Sequence, residues 1–131
     1  MKKILLVDDE PMTLRVMRQA LEKEGYKVDT AYDGTIALEK LADDPPDILI
    51  TDIDMPRLSG KDLVQHIERT IPDRTYPIFI TTSLTALEHR DWSRSVDNLV
   101  FIEKPISLRK LRAMIRDLDA VTSIDGAESG G

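Results

Sequence analysis

Short apolar runs alternate along this chain with longer segments in which apolar residues recur every three or four positions. Five of the short runs have the composition of β-strands: Lys3–Val7, Lys27–Ala31, Ile48–Thr51, Ile78–Thr81 and Leu99–Ile102. Strands that alternate with helices are typical of a parallel sheet with helical crossover connections. The pattern therefore predicts an α/β fold built from five strand-helix units.

Four segments carry apolar residues at the spacing of one buried helical face. The residues of these faces are, in chain order, Leu14, Met17 and Leu21; the range Ile36–Ala42; Leu63, Val64 and Ile67; and Leu108, Leu111, Ile115 and Leu118. The first helix is expected to end at Gly25, since glycine is common just after a helix. Ser107 is expected to cap the start of the last helix.

Two segments are expected to be weakly held. A helix predicted between Ala86 and Ser95 has Leu87 and Trp92 as its large apolar residues, so its buried face is thin and we expect it to move easily. The segment Thr122–Gly131 is small and polar and cannot bury enough surface to stay ordered. We therefore expect a domain over residues 1–121, followed by a flexible tail or truncated linker over residues 122–131.

Right-handed crossovers between five parallel strands leave few topologies. We expect the flavodoxin-like doubly wound (βα)5 arrangement, in which the strands lie in the order 2-1-3-4-5. Strands one and three are neighbours in this order, and such sheets bind their ligands at the carboxyl ends of these strands. The functional site is therefore predicted at that edge of the sheet.

Composition excludes several classes of function. The 18 Lys and Arg residues against 24 Asp and Glu residues give a net charge of −6, which repels a phosphate backbone, so we expect no direct nucleic-acid binding. The absence of cysteine removes disulfides, thiolate zinc sites and cysteine nucleophiles. No apolar run approaches the roughly 20 residues of a membrane span, and no signal peptide is recognisable. We expect a cytoplasmic protein without a membrane partner.

The carboxyl ends of the predicted strands carry five polar residues, namely Asp8 and Asp9, Asp52, Thr82 and Lys104. Three converging carboxylates are unfavourable unless a cation neutralises them or they share a proton. Oxygen ligands without histidine or cysteine favour Mg²⁺, and Mn²⁺ would also fit. Lys104 and the Thr82 hydroxyl are suited to holding phosphoryl oxygens, and Asp52 can attack phosphorus to form an acyl phosphate.

These residues and their order resemble the receiver domain of two-component response regulators. The matching segments lie within residues 2–120 and are Ile4–Glu10, Asp52–Pro56 with the following Gly60, Thr82, and Lys104-Pro105. The resemblance implies that Asp8, Asp9 and Asp52 hold Mg²⁺ together with the backbone carbonyl of Asp54. It also implies that Asp52 accepts a phosphoryl group from a histidine kinase or a histidine phosphotransfer protein, and that Lys104 contacts this group.

The resemblance further implies a cis peptide bond before Pro105 and a switch pair formed by Thr82 and Phe101. In such a switch, phosphoryl oxygens attract the Thr82 hydroxyl, the loop after strand four shifts, and Phe101 turns inward. Phe101 lacks the hydroxyl of the tyrosine common at this position, so packing alone would drive its movement. The weak fourth helix would follow.

The expected output is a change in the face formed by helix four, strand five and helix five. This face would bind a partner or form a phosphorylation-dependent homodimer through ion pairs, although a solvated charged face is the simpler alternative. The charged residues concerned are Arg90, Asp91, Arg94, Asp97, Arg109, Lys110, Arg112, Arg116, Asp117 and Asp119.

The chain departs from the family pattern at Ser83, where alanine is frequent, and at Asp97-Asn98, which replaces the usual Gly-Ala. These departures leave the details of helix four and of the output face open, but they do not touch the acceptor or metal positions. Asp54 and Leu84 flank the site and are expected to influence how water reaches an acyl phosphate.

Other functions stay open at this point. Asp52-Ile53-Asp54 resembles the Asp-x-Asp motif of haloacid-dehalogenase-type phosphohydrolases, although that motif lies near the start of a larger chain. A phosphorylation-independent docking module would keep the fold without the chemistry, but here the acid set is intact. A flavin-binding electron carrier shares the topology, but the acidic pocket would repel the flavin phosphate. We expect a domain that catalyses only its own phosphorylation and dephosphorylation, and not an enzyme with a separate substrate.

Overall fold

The computed structural model describes residues 2–83 and 91–118. Its strands are β1 (Lys3–Val7), β2 (Lys27–Ala31), β3 (Ile48–Asp52), β4 (Ile78–Thr82) and β5 (Leu99–Glu103). Its helices are α1 (Pro11–Lys23), α2 (Gly34–Asp43), α3 (Gly60–Thr70) and α4, which covers residues 108–118. This α4 is the predicted helix five. The alternation of strands and helices agrees with the apolar pattern.

The five parallel strands form one sheet in the order β2-β1-β3-β4-β5. This order confirms the predicted flavodoxin-like, doubly wound topology. Val7 at the end of β1 pairs with Thr51 of β3, so the residues that follow them, Asp8 and Asp52, lie side by side. The topology therefore brings residues far apart in the chain to one edge of the sheet.

Two apolar layers cover the sheet, one on each face. Successive residues of a strand point to opposite faces, so Ile4 and Leu6 of β1 enter one layer while Leu5 and Val7 enter the other. The first layer includes the inner faces of α1 and α4, and the second includes those of α2 and α3. β3 and β4 are buried along their whole length, as expected of central strands covered on both faces.

Three strands extend one residue further than the apolar runs predict, to Asp52, Thr82 and Glu103. The reason is the parallel ladder, in which Asp52 pairs with Thr81 and Thr82 pairs with Glu103. Strand pairing thus includes polar residues that apolar patterning leaves out. As a result, the backbones of Asp52 and Thr82 are held by the sheet itself.

Side-chain caps set the starts of α2, α3 and α4, whereas α1 begins at Pro11 without one. α2 begins at Gly34, two residues before the predicted Ile36, because the Oδ1 atom of Asp33 accepts a hydrogen bond from the Ile36 N–H at 2.9 Å. Ser107 caps α4 as predicted, with its Oγ atom accepting a hydrogen bond from the Lys110 N–H at 3.2 Å. No helix in the described ranges is long and apolar enough to cross a membrane.

The prediction of a helix between Ala86 and Ser95 is wrong for residues 91–95, the part of this range that the structure describes. Residues 91–93 form a single 3₁₀ turn, while residues 84–90 lie outside the described residues. Trp92 packs against the core, where its ring meets Phe101 edge-on with the ring centroids 6.1 Å apart. An α-helix gains most of its stability from a packed apolar face, which this polar stretch does not supply.

The C-terminal end of the sequence, residues 119–131, also lies outside the described residues. The predicted tail over residues 122–131 is part of this segment. The domain limit at residue 121 therefore stays a prediction.

Candidate functional site

Three aspartates converge at the carboxyl ends of β1 and β3. One carboxylate oxygen from each of Asp8, Asp9 and Asp52 lies within 4.8 Å of the other two. Asp8 and Asp52 are only 5% and 4% exposed, whereas Asp9 faces solvent. The adjacency of β1 and β3 produces this cluster, so the site forms where the sequence predicts it.

Lys104 brings a positive charge into the same pocket. Its Nζ atom lies 2.9 Å from Oδ1 of Asp52. Its backbone N–H donates a hydrogen bond to the carbonyl oxygen of Thr82 at 2.8 Å, so the pairing of β4 and β5 positions it. The peptide bond between Lys104 and Pro105 is cis, the isomer that the resemblance implies. Burial disfavours the ammonium, but contact with Asp52 outweighs this effect and the pKa of Lys104 is raised.

The aspartates retain uncompensated negative charge beside this lysine. Burial raises the pKa of Asp8 to about 6, and the charge of Asp52 adds to this effect. The Glu10 N–H opposes it by donating a hydrogen bond to Oδ1 of Asp8 at 2.9 Å. Burial also raises the pKa of Asp52, although the contact with Lys104 lowers it. One lysine therefore does not balance the cluster.

The donor atoms of the cluster fit a hard divalent cation. They are carboxylate oxygens, and no histidine or cysteine belongs to the described cluster. Mg²⁺ prefers oxygen ligands and usually keeps several waters, and Mn²⁺ accepts the same ligands. Burial raises the pKa values of Asp8 and Asp52 in spite of Lys104, so a bound cation would stabilise the charged forms of both carboxylates.

Asp54 lies two residues beyond Asp52 in the loop that joins β3 to α3. Its backbone N–H donates a hydrogen bond to Oδ1 of Asp52 at 3.3 Å, and its side chain is exposed. This contact connects the loop to the Asp52 carboxylate. The role of the Asp54 carbonyl as a metal ligand stays a prediction. Leu84, the other residue expected to influence water access, lies outside the described residues.

Thr82 and Phe101 lie on neighbouring strands. Thr82 ends β4 and is fully buried, and its hydroxyl donates a hydrogen bond to the carbonyl oxygen of Ser83 at 3.2 Å. Phe101 on β5 is partly buried against the second apolar layer and contacts Trp92. Thr82 is thus at the predicted edge of the sheet, and the movement of the two residues as a switch stays a prediction.

Gly60 has a role at this site that motif reading did not reveal. Its N–H donates a hydrogen bond to the carbonyl oxygen of Ile53 at 2.8 Å. A Cβ atom at Gly60 would lie 2.7 Å from Cα of Ile53 and even closer to the carbonyl oxygen of Asp52. Glycine lets α3 start directly against the backbone of Asp52 and Ile53, a contact that spacing along the chain does not show.

A cleft of about 320 Å³ opens beside Asp9. It is also lined by Tyr32, Asp33, Pro56 and Arg57. Arg57 and Asp33 form a loose ion pair across it, with 3.8 Å between Nη1 and Oδ2. The sequence carries no signal that separates Arg57 from other exposed arginines, because its location depends on the path of the β3–α3 loop.

A larger, mainly apolar groove of about 470 Å³ adjoins the site on the α1 side. Glu10 and Lys104 line it together with apolar residues of α1 and of the segment after β5. Met12 and Val16 of α1 are among these apolar residues and are exposed to solvent. The apolar pattern does not single out this surface, because Met12 and Val16 lie outside the buried face of α1.

Comparisons with known proteins agree with this geometry. A family model described as the response regulator receiver domain matches residues 4–116. The response regulator MprA of Mycobacterium ulcerans is 33% identical over 127 residues, which cover 97% of this chain and 54% of the relative. The chain thus spans about half the length of the curated relatives it matches.

Solved structures show the same fold. A response regulator receiver domain protein from Clostridium thermocellum has a TM-score of 0.82 and 27% identity, with 95% of this chain and 98% of that one covered. The chemotaxis response regulator CheY4 of Vibrio cholerae has a TM-score of 0.80 and 28% identity, with 89% of this chain and 98% of that one covered. With the sheet order, the acidic edge and the match over residues 4–116 in agreement, the chain belongs to the response regulator receiver domains, the signalling domains of two-component systems.

Proposed function

We propose that this receiver domain accepts a phosphoryl group on Asp52. The observation that carries the proposal is the 2.9 Å ion pair between Lys104 and Asp52, in the same pocket as Asp8 and Asp9. A carboxylate oxygen of Asp52 forms a bond to phosphorus while the bond from phosphorus to a histidine nitrogen of the donor breaks. The electron pair of that bond stays on the nitrogen, which then binds a proton.

The residues around Asp52 fit this transfer. Asp8, Asp9 and Asp52 would hold Mg²⁺, or Mn²⁺ in its place, with the backbone carbonyl of Asp54 as a further ligand. When bound, the ion screens the repulsion between the acceptor carboxylate and the phosphoryl oxygens. Lys104 holds its ammonium at Oδ1 of Asp52, so the same group is placed to donate to a phosphoryl oxygen once that bond has formed.

Thr82 and Phe101 are proposed to pass the signal on. The Thr82 hydroxyl now donates to the Ser83 carbonyl, and a phosphoryl oxygen would compete for this hydrogen. If the Thr82 hydroxyl rotated from the Ser83 carbonyl to the phosphoryl oxygen, it would release the start of the loop after β4. Phe101 would then move by packing alone, and its edge-on contact with Trp92 would transmit the change to the segment before β5.

The proposed output is partner binding or homodimerisation through the face that includes β5 and α4. Two of its arginines are already paired within the chain, Arg94 with Asp91 at 3.3 Å and Arg112 with Glu24 at 3.6 Å. The remaining exposed charges of α4 are therefore better placed than these arginines for contacts between chains. They are Arg109, Lys110, Arg116 and Asp117. Sedimentation with a beryllofluoride phosphoryl mimic should show a dimer, and an unchanged monomer at high concentration would contradict it.

The proposed phosphoryl donor is a histidine kinase or a histidine phosphotransfer protein. Supporting this, the family match and the relatives named response regulators both belong to two-component signalling. The domain itself would catalyse only its own phosphorylation and dephosphorylation. As a phosphodonor must approach the open edge of the sheet, it would also meet Met12 and Val16 beside Lys104.

Intact mass spectrometry after incubation with acetyl phosphate tests the proposal. Wild type should gain one phosphoryl adduct with Mg²⁺ and none with EDTA, and Asp52→Asn should gain none. An adduct that persists in Asp52→Asn would assign the acceptor elsewhere. A folded wild type that forms no adduct and does not bind beryllofluoride would instead support a phosphorylation-independent docking module.

A further inference from the structure

The cleft beside Asp9 is bordered by Arg57, a residue that the mechanism above does not use. We propose that Arg57 is a specificity residue, whose charge attracts dianionic phosphoryl donors to the site and at the same time weakens binding of the cation. The proposal rests on the proposed function, since it concerns the donor that reaches Asp52. Three features of the β3–α3 loop support it.

The first feature is the backbone of Arg57, which has a φ of +68°. The Leu58 N–H donates a hydrogen bond to the carbonyl oxygen of Pro56 at 2.7 Å, so Arg57 is the central residue of a tight three-residue turn. A side chain with a Cβ atom is unfavourable in this left-handed region, where glycine and asparagine are common. Strain of this kind in a binding loop points to a role for the side chain that stands there.

The second feature is the packing that holds this turn in place. Leu58 lies directly over Gly34 at the start of α2, where a Cβ atom would meet Leu58 side-chain atoms at 2.7 to 3.0 Å. Gly60, two residues further, contacts the backbone of Asp52 and Ile53. The residues that follow Arg57 are thus packed against the start of α2 and the end of β3, so the strained turn cannot relax without moving the backbone of Asp52.

The third feature is the charge that the turn presents. The Arg57 side chain is 80% exposed, and its ion pair within the described residues is the loose contact with Asp33 at 3.8 Å. Asp33 is itself engaged as the cap of α2, through the Ile36 N–H. The guanidinium therefore faces solvent at the rim of a cleft that Asp9 also lines, and this cleft shares no lining residue with the groove lined by Lys104.

A positive charge at this position has two opposite consequences. It attracts an approaching dianion, which raises the rate of encounter. It also repels a divalent cation near Asp9, which lowers cation affinity. A purely structural role for Arg57 predicts a different result, because damage to the loop would reduce both the phosphorylation rate and the Mg²⁺ affinity.

The substitution Arg57→Gly separates these cases, since glycine accepts the left-handed backbone and removes only the side chain. Arg57→Lys keeps the charge. Arg69→Gln is the matched control, because it makes the same change in net charge in the last turn of α3, about 14 Å along the helix axis from Gly60. Acetyl phosphate at saturating Mg²⁺ is the phosphodonor, and calorimetric titration without donor measures Mg²⁺ affinity.

We expect Arg57→Gly to form the Asp52 adduct about three- to tenfold more slowly at low ionic strength, and to bind Mg²⁺ a few-fold more tightly. Both differences should shrink near 1 M salt, where the screening length falls to about 3 Å. Arg57→Lys and Arg69→Gln should resemble wild type. Unchanged rates in Arg57→Gly, or a parallel loss of rate and Mg²⁺ affinity, would overturn the proposal. A folded wild type that forms no adduct and does not bind beryllofluoride would overturn the proposed function itself, and this proposal with it.

Discussion

Asp8 lies almost completely buried at the end of β1, and burial raises the pKa of its carboxyl from 3.8 to about 6. The folded protein therefore binds this proton more tightly than the unfolded chain does. The contribution of Asp8 to the free energy of unfolding consequently falls as the pH rises from about 4 to about 6, and stays low above that range. An ion-paired aspartate with a lowered pKa would show the opposite trend.

Replacing this carboxylate should stabilise the metal-free protein. We predict that Asp8→Asn raises the free energy of unfolding by roughly 1 to 2 kcal/mol at about pH 7, because it removes a buried charge. The gain should shrink near pH 4.5, where the folded wild type already holds the proton. Urea denaturation in EDTA at both pH values measures this. The exposed Asp9 provides the control, and an equal gain in Asp9→Asn would contradict the explanation.

At the scale of elements, the start of α3 and the end of β3 are held in direct backbone contact by Gly60. We predict that Gly60→Ala slows Mg²⁺-dependent phosphorylation by about tenfold or more, because the added Cβ displaces the backbone of Asp52 and Ile53. Gly25→Ala is a suitable control. Gly25 has a φ of +94°, so an added Cβ costs about 1 kcal/mol of stability, but open space surrounds it and the site stays intact. Equal phosphorylation rates in the two variants would show that the contact does not position the acceptor.

Arg74 joins α3 to the segments that precede β4 and β5, at the other edge of the sheet. Its side chain is 5% exposed, pairs with Glu68 of α3 at 3.1 Å, and donates to the carbonyl oxygens of Tyr76 and Asp97. We predict that Arg74→Lys lowers the free energy of unfolding by about 2 to 4 kcal/mol, since an ammonium cannot reproduce these contacts. Urea denaturation tests this, with the exposed Arg69→Lys as control. A loss below about 0.5 kcal/mol would mean that solvent replaces the contacts.

For the whole molecule, a cation at the acidic edge should link metal binding to folding. We predict that Mg²⁺ raises Tm at about pH 7 because it binds the folded state. At 100 times its Kd it should raise the free energy of unfolding by about 2.7 kcal/mol. EDTA should reverse the rise, and Asp9→Asn should reduce it with little change in the metal-free Tm. The net charge of −6 makes a salt control necessary. An equal rise in sodium chloride of matched ionic strength would indicate general screening instead of a site.

Much of the fold was predictable because the period of apolar residues reports which faces are buried. This period located the five strands, and with the right-handed crossover it led to the sheet order. It failed between residues 91 and 95, where Trp92 packs against the core but polar neighbours do not continue a helical face. The polar ends of β3 and β4 were also missed, because ladder pairing and not hydrophobicity extends these strands.

The sequence by itself determined the order of the five strands, the sheet topology and the convergence of Asp8, Asp9 and Asp52, since these depend on residue types and their order along the chain. Only the tertiary structure decided the contact of Lys104 with Asp52, the burial that raises the pKa of Asp8, the approach of Gly60 to the backbone of Asp52 and the left-handed turn at Arg57. The physical reason is that distance, solvent exclusion and backbone conformation at one residue are set by residues far away in the chain, which local patterns do not record.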